Sequence, residues 1–314
     1  MYNYSIISNY SMKTMGFQNT IEKGLNLFLS SSTKQRSERT ILFIAIASYL
    51  LHLGLIFLSS IGVIASESKF LTSPISAIYT PFSFILIYEV YLLLFYLPQS
   101  TSFYIGKQYE IMTLIVIRRI FKDLGDLELV KDWFQNENDL RFTIDAATSL
   151  VLFFLIYLFY HKILKREQPS NGLLSFPSSK SQFVFLKKTI ALLLVPVLII
   201  LAIYSLSGWI SLVVNNRLSD TSMLAYINNI FFDEFFTILI VVDVLLLLAS
   251  FFYSDRFHTI IRNSGFVLST IMLKVSFSVS GILNNILIVG SVVFGLLILY
   301  IHQLFERSTQ DENS

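Results

Sequence analysis

The chain contains no cysteine. Disulfides, thiolate metal sites and a cysteine nucleophile are therefore excluded. Charge is also scarce. Only 14% of the 314 residues are Asp, Glu, Lys or Arg, against about 25% in an ordinary soluble domain. So few charges exclude a water-soluble enzyme built on one core. They exclude a disordered chain as well, because disorder needs low hydrophobicity and high charge. The charges nearly cancel, at 23 Lys and Arg against 21 Asp and Glu. That leaves no broad basic surface for nucleic acid. The four histidines (His52, His161, His258, His302) include no pair at i,i+4 spacing, so no haem or zinc cluster is expected. No phosphate-binding glycine loop, nucleophile elbow, His-Glu-x-x-His or EF-hand pattern occurs. We expect no enzyme, no catalytic residue, no metal site and no cofactor.

What the chain does have is apolar surface. Hydrophobic residues make up 54%, with 29 Phe and 16 Tyr. Mean hydropathy is +0.66. A span needs about 20 mainly apolar residues. Eight segments qualify, at about 40–64, 76–97, 105–121, 142–163, 189–213, 235–254, 259–280 and 281–304. The class is all-α: a polytopic integral membrane protein with eight transmembrane helices. The third segment is the weakest, because its apolar run from Ile111 to Ile117 is short and ends in Arg118 and Arg119. The last two are separated only by Ser280-Gly281, which predicts a tight turn or one long kinked helix. Pro196 lies inside the fifth and predicts a kink. Upstream, Ile21, Leu25, Phe28 and Leu29 sit near helical spacing, as in a short helix lying on the membrane surface. Ser30–Ser37 reads as a linker.

Loop charge sets the orientation. The fourth-to-fifth loop carries Lys162, Lys165, Arg166, Lys180, Lys187 and Lys188 against one acid, Glu167. The third-to-fourth loop balances its bases with Asp123, Asp126, Glu128, Asp132, Glu137 and Asp139. Both termini are therefore expected in the cytoplasm, with the chain in a bacterial inner membrane.

The two halves share an order of features. A cation-Thr-Ile start (Arg39-Thr40-Ile41) is followed by Glu89, Arg119 and His161; Lys188-Thr189-Ile190 is followed by Asp243, Lys274 and His302. Four spans per half would make parallel repeats about an axis along the membrane normal. The expected organisation is an N-terminal cytoplasmic segment (1–39), a four-helix unit (40–165), a basic cytoplasmic linker (166–188), a second four-helix unit (189–305) and a polar tail (306–314).

Charge inside the bilayer is the sharpest functional signal. An ionisable group at a helix centre costs about 2.5–3.5 kcal/mol on insertion scales, so it faces the bundle interior, pairs, or lines a wet path. Glu89 and Asp243 lie deep in their spans, and Glu110 lies in the third. Their expected partners are Arg118 or Arg119 for Glu89, and Lys274 or Arg262 for Asp243. Two readings stay open: buried pairs that set helix register, or acids on a permeation path. Polar stripes run along the seventh span (Asn263, Thr270, Lys274, Ser278) and the eighth (Asn284, Ser291, Gly295, His302). Such stripes are also the usual packing surface between membrane helices. His52 reads as an interhelical hydrogen bonder; His161, His302, Trp133 and Trp209 read as interfacial. Arginine at every third position over several turns is missing from the third span, which excludes a voltage sensor.

At residues 85–128 the sequence ILIYEVYLLLFYLPQSTSFYIGKQYEIMTLIVIRRIFKDLGDLE resembles the PsiE type of phosphate-starvation-inducible membrane protein. Those are four-helix units with an acid in one span, a short loop, and a second acid leading into an apolar run that ends in basic residues. Glu89, Glu110 and Arg118-Arg119 occupy the matching positions. In the second half Asp243 and Lys274 fit, but Ser264 or Gly265 stands where the second acid should be. The resemblance implies tandem four-helix units and no particular activity.

The expected function is a small transporter or channel that moves protons or small ions using these acids. The alternative is a non-transporting scaffold or signalling component acting through its basic cytoplasmic loop. The expected partners are the lipid bilayer, protons or small ions, and in a homo-oligomer a second copy; no nucleic acid is expected.

Overall fold

The computed structural model describes residues 19–63, 76–124, 137–164, 178–214, 222–253, 257–279 and 281–311, all of them in helices and their short connections. The helices are α1 (19–28), α2 (Ser31–Ser60), α3 (Tyr79–Tyr96, entered by a 3-10 turn at Ser76–Ile78), α4 (Thr101–Asp123), α5 (Glu137–Leu164), α6 (Ser178–Val214), α7 (Ser222–Tyr253), α8 (Phe257–Phe277) and α9 (Ile282–Asp311). Each of the helices α2 to α9 overlaps one of the eight apolar runs, and α2, α6 and α7 begin about ten residues earlier. Among the described residues, six stretches are long and apolar enough to cross a membrane: Asn19–Ser60, Asn138–Leu164, Ser181–Tyr204, Glu234–Tyr253, Phe257–Phe277 and Ile282–Ser308. The apolar stretch of α3, Thr80–Tyr96, is shorter, and α4 does not reach that apolarity.

The stretch expected as a linker, Ser30–Ser37, is helical. Ser30 caps α2, its Oγ accepting from the Thr33 backbone N–H at 3.1 Å. A serine at this position satisfies a helix-end donor that would otherwise go unpaired. The expected N-terminal helix is present as α1. Ile21 is buried, and a Cβ on Gly24 would stand 2.8 Å from Leu192 Cδ2, so α1 lies close against α6. The Tyr91 hydroxyl on α3 holds the end of α1 by donating to the Phe28 carbonyl at 2.8 Å.

Between α8 and α9 the chain turns rather than continuing as one kinked helix. Ser278 N–H donates to Val275 O at 3.1 Å and Val279 N–H to Ser276 O at 3.2 Å. Gly281 then takes φ +71°, a left-handed conformation that costs glycine little. Pro196 sits inside α6, whose helix runs on through it. Lys187 and Lys188, expected in the loop, lie within α6.

Consecutive helices pack as neighbours: α2 on α3, α3 on α4, α4 on α5, α6 on α7, α7 on α8 and α8 on α9. The halves meet where α5 packs on α9, α3 on α6 and α4 on α8 and α9. α4 is therefore surrounded by α3, α5, α8 and α9. That position explains its polarity. Hydropathy is demanded only of helices that face lipid, and a sheltered helix can carry side chains lipid would not accept. Ser102, Tyr104, Gln108, Tyr109, Thr113 and Arg118 on α4 are all buried. The lipid-facing helices show the converse pattern: Phe43 on α2 is 74% exposed and Phe252 on α7 is 87% exposed.

Candidate functional site

Successive residues of an α-helix turn by about 100°. Thr101, Tyr104, Gln108 and Arg119 consequently fall within roughly 40° of the Gln108 direction on α4. Phe103, Lys107 and Glu110 fall within about 60° of each other on a second face, roughly 120° around the helix from the first. The helix thus presents two polar faces, and the structure puts a separate cluster on each.

On the first face, near the start of α4, lies Asp243 of α7. It is buried and accepts a hydrogen bond from Gln108 Nε2 at 3.1 Å. Tyr104 and Thr270 stand beside the same carboxylate, and Lys187 is a cation whose field reaches it. Lys187 is itself buried. Its ammonium donates to Gln99 O at 3.0 Å and to Thr101 Oγ1 at 3.2 Å. Thr101, Tyr104, Lys187, Asp243 and Asn263 line a cavity of about 30 Å³. A water needs roughly 10–15 Å³ by this measure together with polar partners, so the cavity can hold one or two waters. The expected pairing of Asp243 with Lys274 or Arg262 is corrected here. Arg262 donates to Asn263 Oδ1 at 3.0 Å and lies 3.1 Å from His302 Nε2, while Lys274 sits in the last turn of α8. Gln108 and Lys187 are closer to Asp243 because α4 and the start of α6 pack over it.

Farther along α4, the Tyr109 hydroxyl lies 2.6 Å from Ser269 Oγ, which donates to Ser291 O at 2.8 Å. Ser269 has spent its proton on that carbonyl, so Tyr109 is the donor. A Cβ on Gly295 would collide with the Tyr109 hydroxyl, so the expected stripe on α9 is in part a slot for this tyrosine. Asn284, Ser291 and His302 of that stripe are buried, as are Asn263 and Thr270 of the stripe on α8. His302 is 2% exposed, since α8 covers it: its Nδ1 is 3.1 Å from His258 O.

Near the end of α4, Arg119 grips Asp145 of α5 through two of its nitrogens, Nε to Oδ2 and Nη2 to Oδ1. Arg119 also donates to Asn284 Oδ1 at 2.7 Å and to Asn285 Oδ1. Asn284 returns a bond to Ser276 O, and Asn285 returns one to Asp145 Oδ1 at 2.6 Å. A planar guanidinium offers five donors in a fixed fork, which suits a site fed by three acceptor side chains. The expected pairing of Glu89 with Arg118 or Arg119 is therefore corrected. Asp145 takes Arg119 because α5 packs directly on this end of α4, whereas Glu89 lies nearer the start of α4. Asp145 met the same criterion as the predicted acids, an ionisable residue inside an apolar run. Gln108, Tyr104 and Lys187 carried no such signal.

Between the Tyr109 and Arg119 levels this side of the bundle is apolar. Met112, Val116, Leu273, Ile288 and Val292 belong to one buried cluster. The distance from Thr101 to Arg119 along α4 is roughly 27 Å at 1.5 Å per residue, close to the ~30 Å hydrocarbon thickness of a bilayer.

At the second face of α4, Glu89 is buried and lies within electrostatic reach of Glu110 and Lys107. Lys107 and Glu110 form an ion pair at 2.7 Å. The structure thus brings Glu89 together with Glu110, and Asp243 together with Gln108, but keeps the two pairs apart. His52 behaves as expected, its Nδ1 2.6 Å from Thr80 Oγ1 across α2 and α3. Trp133 and residues 165–177 of the basic linker lie outside the described residues, and nothing is described of the Trp209 side chain. No metal-holding group of His, Asp and Glu occurs among the described residues.

No protein-family model matches the chain, and neither a curated protein nor a solved structure matches it. The described residues are helical, with six helices among them long and apolar enough to cross a membrane, as fits a multi-pass membrane protein, and the chemistry must be read from the chain's own residues.

Proposed function

We propose that the protein moves protons or small ions across a membrane along the buried polar face of α4, with Asp243 as the group that loads and releases them. The observation that supports this is the arrangement on that face. A buried acid beside a cavity large enough for water stands near one end, a tyrosine–serine relay follows, and a second buried acid, Asp145, stands near the other. An interior ionisable group costs too much in a bilayer to be kept without water, a partner or a task. Lys187 supplies a countercharge within reach of Asp243, and Arg119 supplies one for Asp145. The apolar layer of Met112, Val116 and Leu273 separates the two levels. It is the barrier of a closed state, and opening requires α4 to shift against α8 and α9.

The same reading takes all eight helices α2 to α9 as crossings, with α4 sheltered from lipid, and both termini on the cytoplasmic side of a bacterial inner membrane. The halves also meet like with like, α5 on α9 and α4 on α8. That supports two four-helix units related by an axis along the membrane normal. The contact of α3 with α6 is not matched by an equally close pairing of α2 with α7.

The test is ion and proton flux into proteoliposomes carrying the native protein or Asp243→Asn, with folding checked by size exclusion. Flux in the native protein that falls at least tenfold in the folded variant is expected. Equal flux in both, or none in either, overturns the reading and moves attention to a scaffold acting through residues 166–188.

A further inference from the structure

The second face of α4 carries a cluster that the path above does not use. The ammonium of Lys107 stands 5.1 Å from the ring centre of Tyr96, 5.5 Å from that of Phe103 and 5.6 Å from that of Tyr160. The rings form a continuous rim: Phe95 to Tyr96 at 5.1 Å, Tyr96 to Phe103 at 5.5 Å, and Phe103 to Tyr160 at 5.7 Å. The fourth side is acidic. Glu110 holds the same ammonium at 2.7 and 3.0 Å, and Glu89 lies within its field. Three rings around a cation within about 6 Å is the arrangement by which proteins recognise alkylammonium groups. The chain is shaped for it. A Cβ on Gly106 would stand 2.9 Å from Tyr160 Cζ, so only glycine lets that ring close against α4.

Two features show that Lys107 does not complete this box. Glu89 is 8% exposed, yet its Oε2 has no hydrogen-bond partner among the described residues, whereas the Tyr160 hydroxyl stands beside Glu110. Buried polar atoms of this kind are usually satisfied, so an unpartnered carboxylate oxygen facing the rings marks a place where a donor fits. The charge points the same way, because the box holds two carboxyls, Glu89 and Glu110, and one ammonium. A second cation, Lys34, is outside the ring wall: it donates to the Tyr96 hydroxyl at 2.7 Å and stacks over Phe95 and Tyr96 at 5.2 and 5.0 Å.

We propose that the box formed by Tyr96, Phe103, Tyr160, Glu89 and Glu110 binds a small protonated amine, with Lys107 occupying the seat as a tethered cation until the amine displaces it. The ligand's N–H groups donate to Glu89 Oε2, to Glu110 and to the Tyr160 oxygen, and its carbon atoms lie against the rings. Lys107 is about one-fifth exposed at its side chain, so its arm is not sealed inside the protein. The site stands apart from the Asp243 path, because it lies on a different face of α4 and shares no residue with it.

The probe is methylammonium, with tetramethylammonium as a second cation that can stack but cannot donate hydrogen bonds. Binding to the full-length protein in detergent is read by thermal shift and by calorimetry, against potassium chloride at equal ionic strength. Saturable methylammonium binding by the native protein is expected. It should tighten at least tenfold in Lys107→Ala, weaken about tenfold in Phe103→Leu, and disappear in the isosteric Glu89→Gln. Tetramethylammonium should bind more weakly than methylammonium. Asp243→Asn should bind as the native protein does, whatever its flux. No binding by the native protein, with or without binding by Lys107→Ala, overturns the proposal: in the first case Lys107 is a permanent occupant, in the second the box has no affinity for amines. Binding that survives in folded Glu89→Gln overturns it equally.

Discussion

Two glycines of the α8–α9 hairpin provide a quantitative test of the packing. Gly265 lies on α8 against α9. A Cβ there would stand 2.6, 2.8 and 2.8 Å from Cγ1, Cδ1 and Cγ2 of Ile298. Three atoms of one branched side chain cannot all retreat by a rotamer change, so α8 and α9 must move apart. Overpacking of this size costs about 1–3 kcal/mol. Gly290 lies on α9, and a Cβ there meets only Met272 Cε at 3.9 Å, an ordinary contact with a flexible chain end. Both substitutions to alanine gain helix propensity, at most about 1 kcal/mol and less if the helices persist in the denatured state. The gain is common to both, so it cancels in their difference. Gly265→Ala should therefore be less stable than Gly290→Ala by about 1–3 kcal/mol, with Gly290→Ala equal to or slightly above the native protein. Reversible unfolding by titration with a denaturing detergent, followed by circular dichroism, measures both. Equal stability of the two variants refutes the close approach of α8 and α9 at Ile298. That approach matters because, between membrane helices, tight packing and interhelical hydrogen bonds replace the hydrophobic force.

Other outcomes follow from the same geometry. Asp145→Asn removes the charge that Arg119 grips; about 1–3 kcal/mol should be lost, below the 3–5 of a fully buried pair because the Arg119 side chain is 33% exposed. The same unfolding assay checks it, and the double variant with Arg119→Met should recover part of the loss. The chain lacks cysteine, so single cysteines can be placed on a clean background. An impermeant thiol reagent added to intact cells should label Lys69→Cys and leave Ser314→Cys unlabelled until the membrane is opened. Labelling of Ser314→Cys from outside is incompatible with eight crossings and cytoplasmic termini. In the flux assay, Asp243→Asn should lower transport at least tenfold. The methylammonium titration should separate Glu89→Gln from Asp243→Asn, the first losing binding and the second keeping it.

Composition and the length of apolar runs were enough to read the class and where the helices α2 to α9 lie; the break at Gly281 was legible, but not whether the chain turns there or runs on as one kinked helix. The physical reason is local: a segment that must face lipid has to be apolar and must satisfy its own backbone hydrogen bonds, and both demands are written in consecutive residues. The same logic located Glu89, Glu110 and Asp243, since a charge inside an apolar run stands out whatever surrounds it. Partner choice was not local. Glu89 was expected to meet Arg118 or Arg119, and Asp243 to meet Lys274 or Arg262; the packing of α5 on α4 instead gave Arg119 to Asp145, and a hydrogen bond from α4 gave Gln108 to Asp243. The polarity of α4 made it the weakest span in the sequence. Only its enclosure by α3, α5, α8 and α9 shows why that polarity is tolerated, because what a helix may carry depends on whether lipid or protein lies beside it.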